Sequence, residues 1–214
     1  MNQIYDDLWQ VPLEKRFGTL SSHAYLLKTS ERNILISHFD DLESISSLRE
    51  LGGVDEQYLT HNHEITQSLG DLRFALGSKL IAHERAARHF SSDTTPDRYL
   101  QGNGPFTGSD DFQALYTPGH TDNNLCFYYP SPTGKNYLFT GDTIYLDNNT
   151  FRTLIMTNDG GDKADLLITL KRLRELAANV VLCSVAVGPY RIVEVTQAEW
   201  QALMDDEIAE LEAH

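Results

Sequence analysis

Residues 60–66, Thr60-His61-Asn62-His63-Glu64-Ile65-Thr66 (THNHEIT), set two histidines two positions apart at the end of an apolar run. The residues before them decide how those histidines are delivered. Asp40 and Asp41 can cap a helix whose apolar positions Leu42, Ile45, Leu48 and Leu51 recur at helical spacing, and Gly52 with Gly53 ends it. The next segment, VDEQYLTHNH, then reads as a short strand with His61 and His63 at its C-terminal end. This is a β-α-β unit, and the C-terminal strand ends of such units are where ligands bind.

The same order continues on both sides. FGTLSSHAYLLKT and NILISHF read as strands upstream. Downstream, Leu69, Leu72 and Leu76 predict a helix ending near Gly77, followed by the strand KLIAHE. The stretch from Ser91 to Asp110 is rich in Ser, Thr, Gly, Pro and Asp and reads as a lid or an irregular excursion. DFQALYT, NLCFYYP and NYLFT follow as an antiparallel block with turn clusters between them. A helix from Asp162 carries Leu166, Leu167, Leu170, Leu173 and Ala177 on one face, and Val180 to Val187 reads as one buried strand. Thr196 and Glu199 form a T-x-x-E capping box for a last helix. Helices and strands alternating at both ends of an antiparallel block predict a layered α/β domain, one domain over residues 1–214.

Composition narrows the function. Seventeen basic against thirty-one acidic side chains give a formal charge of -14, which repels a phosphate backbone, and no run of Lys or Arg offsets it. Nucleic acid is therefore not the expected partner. The opening MNQIYDDLWQ lacks the basic and apolar regions of a signal peptide, and the longest apolar run, Val180 to Val187, is too short to span a membrane. The expected setting is cytoplasmic, with no membrane partner. Cys126 and Cys183 lie in apolar, strand-like stretches and are expected as reduced core thiols.

Three loops after strands hold metal-capable side chains: His61 and His63 after YLT, His120 in TPGHT, and Asp142 in FTGDT. Three neutral imidazoles with an open fourth position suit a catalytic zinc. In this order T-H-x-H, T-P-G-H-T and F-T-G-D-T resemble the metallo-β-lactamase superfamily, particularly its glyoxalase II-like branch, over roughly residues 15 to 190. The resemblance implies a four-layer αββα sandwich with the metal site at the edge between the two sheets. It also implies that His61, His63 and His120 hold a first metal and that Asp142 is the bridging carboxylate.

The departures from that pattern are specific. The family's T-H-x-H-x-D-H has Ile65 and Thr66 here in place of the Asp and the third His. Alignment on Gly188 and Pro189 puts Val187 at the family's last histidine, and Ser37 stands where a strand commonly ends in Asp. The second metal position would keep only Asp142, so the expectation is one divalent metal per chain, zinc first and iron as the alternative. Water on that metal would be oriented or deprotonated by Asp142, the expected catalytic residue. Glu64 is a second base candidate that a simple strand would point away from its neighbours.

Three functions compete on these residues. The first is a single-metal hydrolase of a small ester or thioester. The second is a mononuclear iron enzyme on His61, His120 and Asp142, like the persulfide-oxidising relatives of glyoxalase II. The third is a non-catalytic or degraded site that binds a small ligand. His83 and His89 have no spaced partner and read as non-ligands. His23 and His38 read as satisfied histidines more readily than as pocket residues, and Tyr145 and Tyr190 as packing side chains that can border the pocket.

Overall fold

Alternation along five strands sorts the core into layers. In Tyr25–Lys28 and Asn33–Ile36, Tyr25, Leu27, Ile34 and Ile36 face one cluster while Leu26 and Leu35 face another. In Leu125–Pro130, Asn136–Gly141 and Val180–Cys183, Phe127, Phe139 and Leu182 join the first cluster, whereas Cys126, Leu138 and Cys183 face a third. Period-two alternation with both faces apolar means that each sheet is covered on both sides. The shared cluster is the interior between two sheets. Each Leu, Ile or Phe fully buried there stabilises the fold by about 1.5–3 kcal/mol.

Helices cover the outer faces. Helix α1 (Ser44–Glu50) and helix α2 (Leu69–Leu76) pack Ile45, Leu48 and Leu72 on Leu26 and Leu35. Helix α3 (Lys163–Arg174) and helix α4 (Gln197–Ala213) pack Leu166, Leu170, Trp200 and Met204 on Cys126, Leu138 and Val181. The order helix, sheet, sheet, helix is the αββα sandwich. Asp162 caps α3 by accepting from the backbone N–H groups of Ala164 and Asp165, and the Thr196–Glu199 capping box forms as expected. Both cysteines are buried and free.

The computed structural model describes residues 1–17, 19–188 and 192–213. Among them, strands form a seven-stranded, a six-stranded and a five-stranded sheet. The five-stranded sheet joins the ends of the other two. It contains Leu20–Ser22, Tyr145–Asp147 and Val185–Val187, and its strands run on into both large sheets. Among the described residues no helix is long and apolar enough to cross a membrane.

Two sequence expectations change. The expected single strand from Val180 to Val187 breaks at Ser184, whose carbonyl accepts from the His23 N–H, so Val180–Cys183 and Val185–Val187 belong to different sheets. The stretch from Ser91 to Asp110 is not wholly irregular. Arg98–Leu100 within it is an edge strand of the seven-stranded sheet, in parallel register with Ile81–His83, and Phe106–Thr107 pairs with Gln113–Ala114. The first ten residues form a hairpin, Asn2–Tyr5 with Leu8–Gln10, at the opposite edge.

Candidate metal centre

The strand Glu56–Tyr58 lies between Asn33–Ile36 and Lys79–His83, parallel to both, inside the seven-stranded sheet. As it ends, the Thr60 carbonyl accepts from the Leu125 N–H of the other sheet at 2.7 Å. Thr60 and His61 therefore sit where the two sheets meet. Residues Asn62–Glu64 then form a 3-10 turn. A reciprocal amide pair ties that turn to the loop of His120, since the Asn62 N–H and the Asn123 side-chain amide each donate across at 2.9 Å.

His120 and Asp142 reach the same point through two glycines. Gly119, at φ +140°, lies so close to α3 that a Cβ there would come within 2.5 Å of the Leu166 Cα. Gly141, at φ +56°, lies against Thr60, whose Cβ would be 2.7 Å from an added methyl. Only glycine meets both demands, a backbone conformation that side chains disfavour and contact with a neighbour.

The structure brings together the three histidines read from the sequence. Ring centroids of His61, His63 and His120 are 4.7, 5.1 and 5.6 Å apart pairwise, and one ligand atom from each lies within 4.8 Å of the others. Asp142 Oδ2 is 3.5 Å from His61 Nε2 and 4.0 Å from His120 Nε2. His61 Nε2, His120 Nε2 and Asp142 Oδ1 are all buried without a hydrogen-bond partner. Such groups are costly to leave unpaired, and a cation held by the histidines would satisfy both nitrogens and be attracted by the carboxylate beside them, so the donor set fits a divalent metal.

The remaining ring nitrogens are occupied. His61 Nδ1 lies 2.8 Å from the Thr60 hydroxyl, and His120 Nδ1–H donates to the Leu154 carbonyl at 2.7 Å. His63 Nε2 is 3.0 Å from the Asp159 carboxylate, which leaves Nδ1 to join the cluster. Burial pushes the pKa of His61 well below its ordinary value, reinforced by His120 and His63. Burial also lowers His120, against the opposing pull of Asp142 and the Leu154 carbonyl. Both rings are therefore neutral at pH 7, the form that binds metal. Burial raises the carboxyl of Asp142, which His120 and His63 partly offset.

A pocket of about 660 Å³ opens beside these groups. Its walls are largely apolar, with Leu20, Tyr145, Leu154, Met156, Val185 and Val187 around the polar cluster. Tyr145 thus borders the pocket, and Val187 lines it at the position where the family resemblance implies a histidine. Tyr190 and Pro189 lie outside the described residues.

The environment of Glu64 and Ile65 differs from expectation. Because residues 62–64 turn as a 3-10 helix, Glu64 does not point away. It lines the pocket, buried, and accepts from the Ser37 hydroxyl and from the Thr60 hydroxyl and N–H. Burial pushes its pKa up to about 7 against those hydrogen bonds. Ile65, which replaces the family's Asp, packs on Leu59, Leu69 and Leu80. His38 lines the pocket and shares its Nε2 with Thr66, Ser68 and Asp40, while His23 is held by Gln10 and Ser21. His83 stacks on Tyr116, with centroids 4.1 Å apart, away from the histidine cluster. The sequence reading missed Asp159, which sits in a short 3-10 turn without periodicity, and the Leu154 carbonyl, whose role no side chain announces.

No family model matches the chain. The hydroxyacylglutathione hydrolase of Hydrogenovibrio crunogenus is 30% identical over 123 residues, 57% of this chain and 40% of that protein. The enzyme of the same name from Bartonella quintana is 29% identical over 127 residues, 57% of this chain and 44% of that protein. The matched region spans less than half the length of these curated relatives. Among solved structures, a metallo-β-lactamase from Pontibacter korlensis superposes with a TM-score of 0.74 at 22% identity, covering 100% of this chain and 98% of that one. A metallo-β-lactamase of Pseudomonas aeruginosa in its mono-zinc form gives a TM-score of 0.71 at 18% identity, covering 98% and 94%. The chain has the metallo-β-lactamase fold, and its sequence is similar to the glyoxalase II-like branch of that superfamily.

Proposed function

We propose that this protein is a hydrolase that uses one divalent metal, zinc, held by His61, His63 and His120, to cleave a small ester or thioester. The observation that carries this reading is that the buried Nε2 atoms of His61 and His120 have no hydrogen-bond partner, in a cluster where each of the three histidines offers a ligand atom within 4.8 Å of the others. Similarity to hydroxyacylglutathione hydrolases supports the bond type, and the reduced, buried cysteines fit a cytoplasmic setting.

A bound divalent ion supplies Lewis acidity and makes water a stronger acid near neutral pH. The protein's own groups do the rest. Oδ1 of Asp142 is the free acceptor that orients the attacking water and takes its proton. Leu154, Met156 and Val187 offer apolar contact to an acyl group and keep bulk water out of the reacting centre. The test is hydrolysis of a panel of acyl-glutathione thioesters and short-chain aryl esters by zinc-loaded protein. Turnover that disappears in Asp142→Asn supports the reading, and no turnover of any member overturns it.

The approach of Asp142 Oδ2 to 3.5 Å from His61 Nε2 favours a second reading, in which His61, His120 and Asp142 form a 2-His-1-carboxylate iron site. Iron retained through purification, with oxygen uptake on persulfide substrates, would select it.

A further inference from the structure

Glu64 has no role in the reading above, yet it is buried against the back of the histidine cluster. Its Oε1 accepts from the Ser37 hydroxyl at 2.5 Å and from the Thr60 hydroxyl at 2.6 Å, and its Oε2 accepts from the Thr60 N–H at 2.7 Å. When ionised, Glu64 only accepts, so the single hydroxyl hydrogen of Thr60 then points at it. The lone pairs of that oxygen are then what faces His61 Nδ1, 2.8 Å away. For that contact to be a hydrogen bond, His61 must carry its proton on Nδ1. Thr60 cannot swing aside, because it is fully buried and its side chain rests on the bare Cα of Gly141.

We propose that Glu64, acting through the Thr60 hydroxyl, is a positioning residue that locks His61 as the Nδ1–H tautomer and so aims the Nε2 lone pair at the metal position. This rests on the reading of His61 as a metal ligand. The chain Glu64, Thr60, His61 is a carboxylate–imidazole support with a hydroxyl inserted in it. Such outer partners fix ring orientation and raise ligand basicity. The two other histidines have direct supports, the Leu154 carbonyl and Asp159.

The proposal makes an asymmetric prediction for Glu64→Gln. If the new amide accepts from the Thr60 N–H, its NH₂ faces the Thr60 hydroxyl. The Thr60 hydrogen then turns toward His61 Nδ1, which drives the ring to the Nε2–H tautomer and blocks the ligand atom. Thr60→Val removes the hydroxyl while keeping a branched side chain against Gly141, and Thr60→Ser keeps the hydroxyl.

The experiment reads ring nitrogen and proton shifts of His61 in metal-free protein by ¹⁵N NMR, and zinc affinity by competition with a chromophoric chelator. Wild type and Thr60→Ser are expected to show the Nδ1–H tautomer. Glu64→Gln is expected to show Nε2–H, and Glu64→Gln and Thr60→Val each to lose about 10–100-fold in zinc affinity. The double variant is expected to lose no more than either single one. His61 as Nε2–H in the wild type overturns the proposal, as does an Nδ1–H ring with wild-type zinc affinity in both variants. Because the tautomer is read without metal, a wild-type protein with the Nδ1–H ring that binds no zinc would sink the metal reading and leave the positioning role standing.

Discussion

Nε2 of His63 lies 3.0 Å from a carboxylate oxygen of Asp159, and the other oxygen of Asp159 accepts from the Asn62 side chain at 3.0 Å. His63 is the most exposed of the three clustered histidines, with 35% of its side-chain surface open, so this contact is what holds its ring. Asp159→Ala is expected to weaken zinc binding about tenfold while leaving the unfolding midpoint within a few degrees of wild type. Chelator competition and thermal unfolding check it. Unchanged zinc affinity would mean that the ring needs no external support.

Gly141 serves both backbone and packing. Gly141→Ala places a methyl 2.7 Å from the Thr60 Cβ at φ +56°. The backbone penalty alone is about 1–2 kcal/mol, and displacement of Thr60 adds to it. Gly102, at φ +81° with no atom within 4 Å of an added Cβ, gives the comparison. Gly102→Ala should cost only the backbone penalty, whereas Gly141→Ala should cost more and also lower zinc affinity. Denaturant unfolding of the two variants measures the difference.

Asp142 is expected to matter for turnover rather than for folding. Its Oδ1 has no partner to lose, so Asp142→Asn should keep the wild-type unfolding midpoint. Its kcat/KM should fall by about 10²-fold or more, the typical contribution of a positioned base. Steady-state kinetics on the best substrate of the panel, beside thermal unfolding, separates the two effects.

Behind Tyr145, whose strand partner is Arg152, Glu207 on α4 is buried, with Arg152 at 3.5 Å and the carboxylates of Glu210 and Asp206 nearby. Burial, with Glu210 adding, raises its pKa from 4.5 to about 7 in the folded protein. The folded state therefore binds this proton more tightly than the unfolded chain. The stabilisation is fully present below about pH 4.5 and is lost as pH rises to about 7. The shift corresponds to at most about 3 kcal/mol, and solvent screening around the half-exposed Arg152 and Glu210 reduces it to about 1–2 kcal/mol. Glu207→Gln should remove that slope, with a Tm above wild type at pH 8 and close to it at pH 4.5.

What could be read from the sequence follows from where the physics is periodic. Alternation at Leu26 and Leu27 or at Leu138 and Phe139 marks strands with two buried faces, and Leu166, Leu170 and Leu173 mark the inner stripe of α3. His61, His63 and His120 were legible because each stands just past an apolar strand in a short motif. Strand geometry across residues 62–64 would point Glu64 away, but the chain turns there as a 3-10 helix and brings the side chain to the pocket. Asp159 and the Leu154 carbonyl carry no local signal, since their roles arise from tertiary contact with residues 96 and 34 positions away. The break at Ser184 was hidden because apolar residues continue on both sides while the strand changes sheet.

Whether His61, His63 and His120 hold one metal is decided by elemental analysis of the purified protein beside His61→Ala and His120→Ala. About one zinc per chain in the wild type, absent from both folded variants, is the expected result. A wild-type protein that takes up neither zinc nor iron after loading would mean that the three histidines hold no metal and leave a pocket that binds its ligand without one.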